Sequence, residues 1–232
     1  DIAKYNDDLK NYGTRREEFV KALESYNRQI QKYNSTEFIR NNRIQLFYDC
    51  ESKTLKPQEN LFIIKKGASE DYFFKFLKKY FGDHISQNKS LEINGIQYFP
   101  DYTYSDEAKN LYIDIEIDEP YCGSDGTPIH FIGSKDDKRD NFFGFYGWFV
   151  IRFAEEQVIK QPDDCCLFVN NVIKSSMIVS PIDEDQLISL CNLEIVPRWS
   201  KEEAYQLAYR RFRNSYLPKE LALKMGVESN EE

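Results

Sequence analysis

The stretch "LYIDIEID", residues 111–118, alternates without a break, with Ile113, Ile115 and Ile117 set against Asp114, Glu116 and Asp118. A period of two belongs to a strand with one face on an apolar core. This segment therefore commits the chain to a sheet. The other face is unusual because it is all carboxylate. Same-face neighbours on a strand stand roughly 6–7 Å apart, so three anions in a row repel one another. A solvated face ordinarily mixes Thr, Lys, Ser and Glu. The pattern asks for a cation against this face.

The flanking segments supply the rest of a mixed sheet. Upstream, "SEDYFFKFLKKYF" at 69–81 reads as a helix. "SLEI", a hairpin turn at Asn94–Gly95 and "IQYFPDYTY" as one strand follow it, and the polar turn "SDEAKN" leads into the carboxylate strand. Downstream come the long loop "EPYCGSDGTPIHFIGS", a helix at about 136–146, the strand "WFVIRF" at 148–153 and a helix from Ala154. Residues 163–178 read as an amphipathic helix, and "SKEEAYQLAYRRFRNSYL" as a final one opened by the Ser200/Glu203 capping box. Hairpins plus one helical crossover give an α/β protein of the α+β mixed-sheet kind, with helices on the sheet faces.

Residues 1–56 read as an N-terminal helical region and connector, 57–180 as the core, and 181–232 as a C-terminal helical extension. Tyr5, Leu9, Tyr12, Phe19, Leu23, Tyr26, Ile30 and Tyr33 fall at heptad spacing. Such a seam packs on the rest of the protein, on an upstream part (the chain opens at Asp1, which reads as a fragment boundary), or on a second copy. With 41% hydrophobic and 15% aromatic residues the chain can bury a sizeable core. No run approaches the roughly 20 apolar residues of a membrane span. Five cysteines without a CxxC pair, two of them adjacent at Cys165–Cys166 in an apolar helix, point to a reduced, cytoplasmic protein. A net charge of −8 argues against indiscriminate nucleic-acid binding. It leaves room for a nuclease, whose metal-site carboxylates add to the negative count.

On this order of elements Glu70 opens the first core helix, Asp101 follows Pro100, and Glu116 and Asp118 share one strand face. Carboxylates from adjacent strands and a helix end can hold a hard divalent cation through oxygen. Mg²⁺ or Mn²⁺ is then the expected counter-charge.

Pro100–Asp101 followed by Glu116–Ile117–Asp118 on the next strand resembles the PD-(D/E)xK restriction-endonuclease-like superfamily. Within it, Glu70, the E-x-D, His130, Asp136–Arg139 and "GWFVIRF" are similar to very-short-patch-repair-type endonucleases, over roughly residues 60–160. The resemblance implies a metal-dependent DNA endonuclease of repair, mobile-element processing or phage defence. Asp101 and Glu116 would be ligands, with the Ile117 carbonyl as a third and Glu70 completing the environment. Asp118 stands where the superfamily's lysine usually is. His130 would be an acid, base or phosphate contact, and Arg139, Arg152 and Lys138 the groups facing substrate. Ordinary readings stand beside these. Asp101 can serve a turn, Glu116 and Asp118 a solvated face, and Asp114 a surface strand start. Glu70 can favour a helix N-terminus, and His130 can be a plain loop residue. Asp136 and Arg139 can form a structural ion pair, Arg152 can reach phosphate or only solvent, and Gln157 is a weak candidate for the site. The rival function is a catalytically silent nuclease fold used as a binding module in a larger assembly.

Overall fold

The computed structural model describes residues 15–16, 20–21, 44–45, 54–60, 67–93, 95–176 and 191–224. The chain divides into two compact units, Asp1–Asn41 and Asn42–Glu232. In the first, Arg15, Arg16, Val20 and Lys21 are helical. The heptad seam as such, Cys50 and the apolar "LFIIKK" lie outside the described residues.

In the second unit β7 (Leu111–Asp118) is central to a five-stranded sheet. Its neighbours are β6 (Tyr102–Asp106), antiparallel, and β8 (Phe149–Ala154), parallel. Short strands β1 (Ile44–Gln45) and β3 (Ile85–Ser86) form the edges, giving the order β1-β8-β7-β6-β3. A second sheet of order β2-β4-β5 contains β2 (Gln58–Glu59), β4 (Lys89–Ile93) and β5 (Ile96–Tyr98). The mixed sheet expected from the sequence is present, as is the two-residue hairpin, with Ile93 opposite Ile96 and Gly95 at φ +78°.

"IQYFPDYTY" is not one strand, however. It breaks at Phe99–Asp101, and its halves join different sheets. Pro100 has no amide to give a ladder, and the residue before it is restricted as well. The chain turns there and starts β6 with Asp101 at its mouth.

The alternation in β7 has the expected apolar half. Ile113, Ile115 and Ile117 are buried in the main core with Phe73, Leu77, Ile151, Phe153, Val158, Phe168 and Val172. Each such side chain contributes roughly 1.5–3 kcal/mol by leaving water. That core is closed by α1 (Ala68–Phe81), α3 (Glu155–Lys160) and α4 (Pro162–Ser175). Phe73 and Leu77 recur on one face of α1, while Lys78 reaches the Gly82 carbonyl at its end. Cys165 and Cys166 are buried on α4 as small apolar groups. Cys191, Leu193, Leu217 and Ala222 join the same core, so the C-terminal stretch packs on it directly.

The opposite sheet face is covered by α2 (Asp136–Phe145). Phe143 packs there with Tyr112, Trp148, Val150 and Leu91. Between α2 and β8 the chain turns at Gly147, where φ is +77° and a Cβ would stand 2.8 Å from Thr54 Oγ1. Only glycine fits both demands.

Near the C-terminus α5 (Lys201–Tyr209) opens with the expected capping box: Ser200 Oγ accepts from Glu203 N at 3.2 Å and Glu203 Oε2 from Ser200 N at 2.8 Å. The helix is shorter than the sequence suggests. It stops before Arg211, whose φ is +51°, and is followed by a 3₁₀ turn at Phe212–Ser215 and by α6 (Lys219–Lys224). Among the described residues no helix is long and apolar enough to cross a membrane.

Candidate functional site

The carboxylate half of β7 is not a solvated face. Asp114, Glu116 and Asp118 are all buried, Asp114 completely. Asp114 is thus an interior residue and not a surface strand start. The groups set against them are guanidiniums. Parallel pairing brings Arg152 of β8 opposite Glu116. Arg152 is 1% exposed and donates from Nη2 to Asp118 Oδ1 at 2.8 Å, and from Nη1 to Asp140 Oδ1 at 2.8 Å. It does lie off the apolar core, as alternation with Ile151 and Phe153 demands, but it meets neither solvent nor a surface where phosphate could reach it. Arg139 descends from α2 and forks onto Glu116, with Nη2 to Oε1 at 2.6 Å and Nη1 bonded to Oε2. Its Nη2 also donates to the Phe99 carbonyl at 3.0 Å, and its guanidinium stacks 5.3 Å from the Phe143 ring centre.

Asp101 and Glu116 stand side by side across β6 and β7. Asp101 N donates to Glu116 Oε1 at 3.0 Å, and Ile117 N donates to Asp101 Oδ2 at 2.9 Å. The break after Phe99 is what brings Asp101 here. Glu70 is occupied as a helix cap: its Oε1 accepts from Gly67 N at 2.9 Å. Its carbonyl accepts from Tyr102 Oη at 2.7 Å, which ties the start of α1 to the start of β6.

His130 closes the far end. It sits on a left-handed backbone, φ +52°, in a loop pinned by Cys122 N to Thr127 O and Ile132 N to Trp199 O, each 2.8 Å. Its Nδ1 lies 3.0 Å from Asp136 Oδ2 and 3.6 Å from Asp118 Oδ1, and its Nε2 is 3.6 Å from Glu119 Oε2. Asp136 therefore pairs with His130 and not with Arg139. Lys138 is exposed. Gln157 serves structure: it accepts from Ala154 N and donates to the Glu194 carbonyl.

Four buried carboxyls, Asp114, Glu116, Asp118 and Asp140, thus surround two guanidiniums. Burial eases the excess by favouring protonation of two of them. Burial drives Asp114 well above the usual carboxylate range against the pull of Arg139, and lifts Asp140 to about 6 against Arg152. Burial also pushes Glu116 upward, but Arg139 and Arg152 overcome it and hold the group at about 2. One carboxyl pushed up beside another held down is what two close carboxyls with one strong counter-ion should give. At the other end burial and Glu155 raise Glu119 to about 7. Burial would lower His130, yet the hydrogen bond with Asp136 and the charges of Asp118 and Glu119 hold it up at about 9.

Sequence reasoning missed Asp140 and Glu119. Asp136, Arg139 and Asp140 stand at i, i+3 and i+4, so one helix face carries all three, and that spacing was the available signal. Among the described residues no three His, Cys, Asp or Glu side chains are grouped as a metal site. Asp101 and Glu116 are the hard-oxygen pair, and Glu116 holds Arg139. The chain matches no family model, no curated protein and no solved structure. Likeness to the restriction-endonuclease-like superfamily rests on the quoted motifs and on element order.

Proposed function

We propose that this site hydrolyses phosphodiester bonds in DNA with Mg²⁺ or Mn²⁺, as a restriction-endonuclease-like core. The observation that carries the reading is the reciprocal contact of Asp101 and Glu116 across β6 and β7. Two carboxylates distant in sequence meet at a strand mouth, at the positions the PD and E-x-D motifs name. The order helix, antiparallel pair, helix and parallel strand is also the order that superfamily uses.

A divalent ion would be held by Asp101 and Glu116 with the Ile117 carbonyl, Glu70 lying behind its own cap. Bound there, it supplies polarisation of the phosphate and a more acidic water. The chain's own groups do the positioning. Arg152 fixes Asp118, which cannot swing into the place of a mobile base while both its oxygens carry Arg152. His130, held up at about 9, would keep its proton at neutral pH and would contact phosphate or protonate a leaving oxygen. Lys138 is free of the interior and can meet the DNA backbone.

A second reading, a silent fold that binds or scaffolds within a larger assembly, is favoured by the guanidiniums already seated on Glu116 and Asp118. Incubation with supercoiled, linear, mismatched and single-stranded DNA, and with RNA, under Mg²⁺, Mn²⁺ or EDTA separates the two. Cleavage that needs metal and disappears in Asp101→Ala and Glu116→Ala supports the enzyme. No cleavage of any substrate by wild-type protein gives the case to the silent module, and RNA-only cleavage corrects the substrate.

A further inference from the structure

We infer that Arg139 and a divalent cation are alternative occupants of Glu116, so that the metal enters only as Arg139 withdraws. This rests on the proposed metal reading and adds a resident competitor to it. Both oxygens of Glu116 are taken by the Arg139 fork, and the same guanidinium reaches the Phe99 carbonyl and lies 3.4 Å from Asp114. A divalent ion on Glu116 would need oxygens at about 2.0–2.6 Å, where the guanidinium N–H groups now point. Two cations cannot share that carboxylate in a dry pocket.

Of the two buried arginines, Arg139 is the one placed to yield. It hangs from the surface helix α2 with its side chain 16% exposed, whereas Arg152 is 1% exposed and fixed by Asp118 and Asp140. A second observation shows that the pocket holds more carboxyl than its guanidiniums pair by hydrogen bonds, even with Arg139 in it. Asp114 is fully buried, and beyond the ion-pair approach of Arg139 at 3.4 Å no donor among the described residues makes a hydrogen bond to its oxygens. Buried carboxyl oxygens are ordinarily hydrogen-bonded, so a group left like this calls for a reason. Withdrawn from Glu116, Arg139 stays at the mouth beside exposed Lys138, where an incoming phosphate would find it.

The test is Mn²⁺ titration by calorimetry on wild type, Arg139→Gln, and Asp101→Ala in each background. Arg139→Gln should bind Mn²⁺ about tenfold tighter than wild type, a typical coupling between competing occupants, and Asp101→Ala should remove binding in both. In wild type, Mn²⁺ should also raise the reaction of Arg139 with a dicarbonyl reagent, read from the mass of its peptide. Equal or weaker binding by Arg139→Gln, with Asp101 still required, overturns the competition and leaves the metal reading standing. Absence of Mn²⁺ binding in every protein sinks that reading and the inference with it. If Arg139→Gln does not fold, the wild-type labelling decides: unchanged or reduced reaction of Arg139 with Mn²⁺ overturns the inference.

Discussion

Arg213 and Arg152 are both buried guanidiniums, but Arg213 is forked onto Glu155 while Arg152 lies within 4 Å of four carboxyls. Arg213 donates from Nε and Nη2 to the two oxygens of Glu155, each at 2.7 Å, and Tyr216 Oη adds a third bond at 2.8 Å. Its Nη1 and backbone amide go to Tyr121, so the turn after α5 is clamped to the start of α3. Around Arg152 stand Asp118 and Asp140 at 2.8 Å and Glu116 and Asp136 at 3.9 Å. There Asp140 Oδ2, like both oxygens of Asp114, accepts no hydrogen bond among the described residues, although Arg139 stands 3.4 Å from Asp114. A clamp is charge-matched and filled with hydrogen bonds. The β7 face carries carboxyl in excess of its guanidiniums, with Asp114 and Asp140 pushed up by burial, an arrangement that active sites use and that structural ion-pair networks also show.

The largest expected effect tests the clamp. Glu155→Gln leaves Arg213 buried without its anion and should cost about 3–5 kcal/mol in denaturant unfolding. Asp118→Asn should cost less, about 1–3 kcal/mol, since Arg152 keeps Asp140 and the spare carboxyls can ionise in place of the lost one. The contrast breaks if Asp118→Asn proves as costly as Glu155→Gln. Arg152 would then depend on Asp118 alone, and the surplus would be only apparent.

Local chemistry made much of the frame legible. Alternation fixed the inward isoleucines, Asn94–Gly95 the hairpin, and Ser200 with Glu203 the start of α5. What escaped was non-local or conformational. A run of aromatic and β-branched residues hides the point where Pro100 sends it into a second sheet. The stop at Arg211 depends on one left-handed residue that is not glycine. The cation facing β7 was expected as a metal because alternation says only that a face is polar. It does not say that Arg139, 23 positions from Glu116, and Arg152, 34 positions from Asp118, are folded over that face. Asp101 and Glu116 could be paired from the motif, whereas the roles of Asp140 and Glu119 needed the packing of α2 and the 119–135 loop.

His130 gives a smaller, pH-dependent effect. Asp136, Asp118 and Glu119 face it as anions or potential anions, and Arg152 as a cation. Its folded pKa of about 9 lies above the unfolded 6.5, so the folded state holds an extra proton between those values. The stabilisation is complete below about 6.5 and fades as pH rises through 9. Wild type should therefore exceed His130→Gln by on the order of 1–3 kcal/mol at pH 6, with the gap closing by pH 10. A gap that stays constant with pH would make His130 a packing residue and remove it from the proton-holding group.

The smallest effect is the sharpest test of the surplus. If the Asp114 carboxyl is already neutral in the fold, Asp114→Asn exchanges one uncharged planar group for another of nearly the same shape. An amide can donate to Glu116 as the protonated acid does, and Arg139 keeps its fork on Glu116. At pH 4, close to the ordinary Asp value, the acid is about half neutral in the unfolded chain and holding its proton costs little, so the two proteins should agree within about 1 kcal/mol, the net value of one hydrogen bond. As pH rises the wild-type chain must hold a proton that its unfolded state gives up, so the raised carboxyl costs stability there and the asparagine does not. Asp114→Asn should therefore gain on wild type from pH 4 to pH 8 in chemical unfolding. Loss in place of gain over that range would mean that Asp114 is ionised and Arg139 depends on it. The β7 face would then be a second closed clamp, built like the one at Glu155.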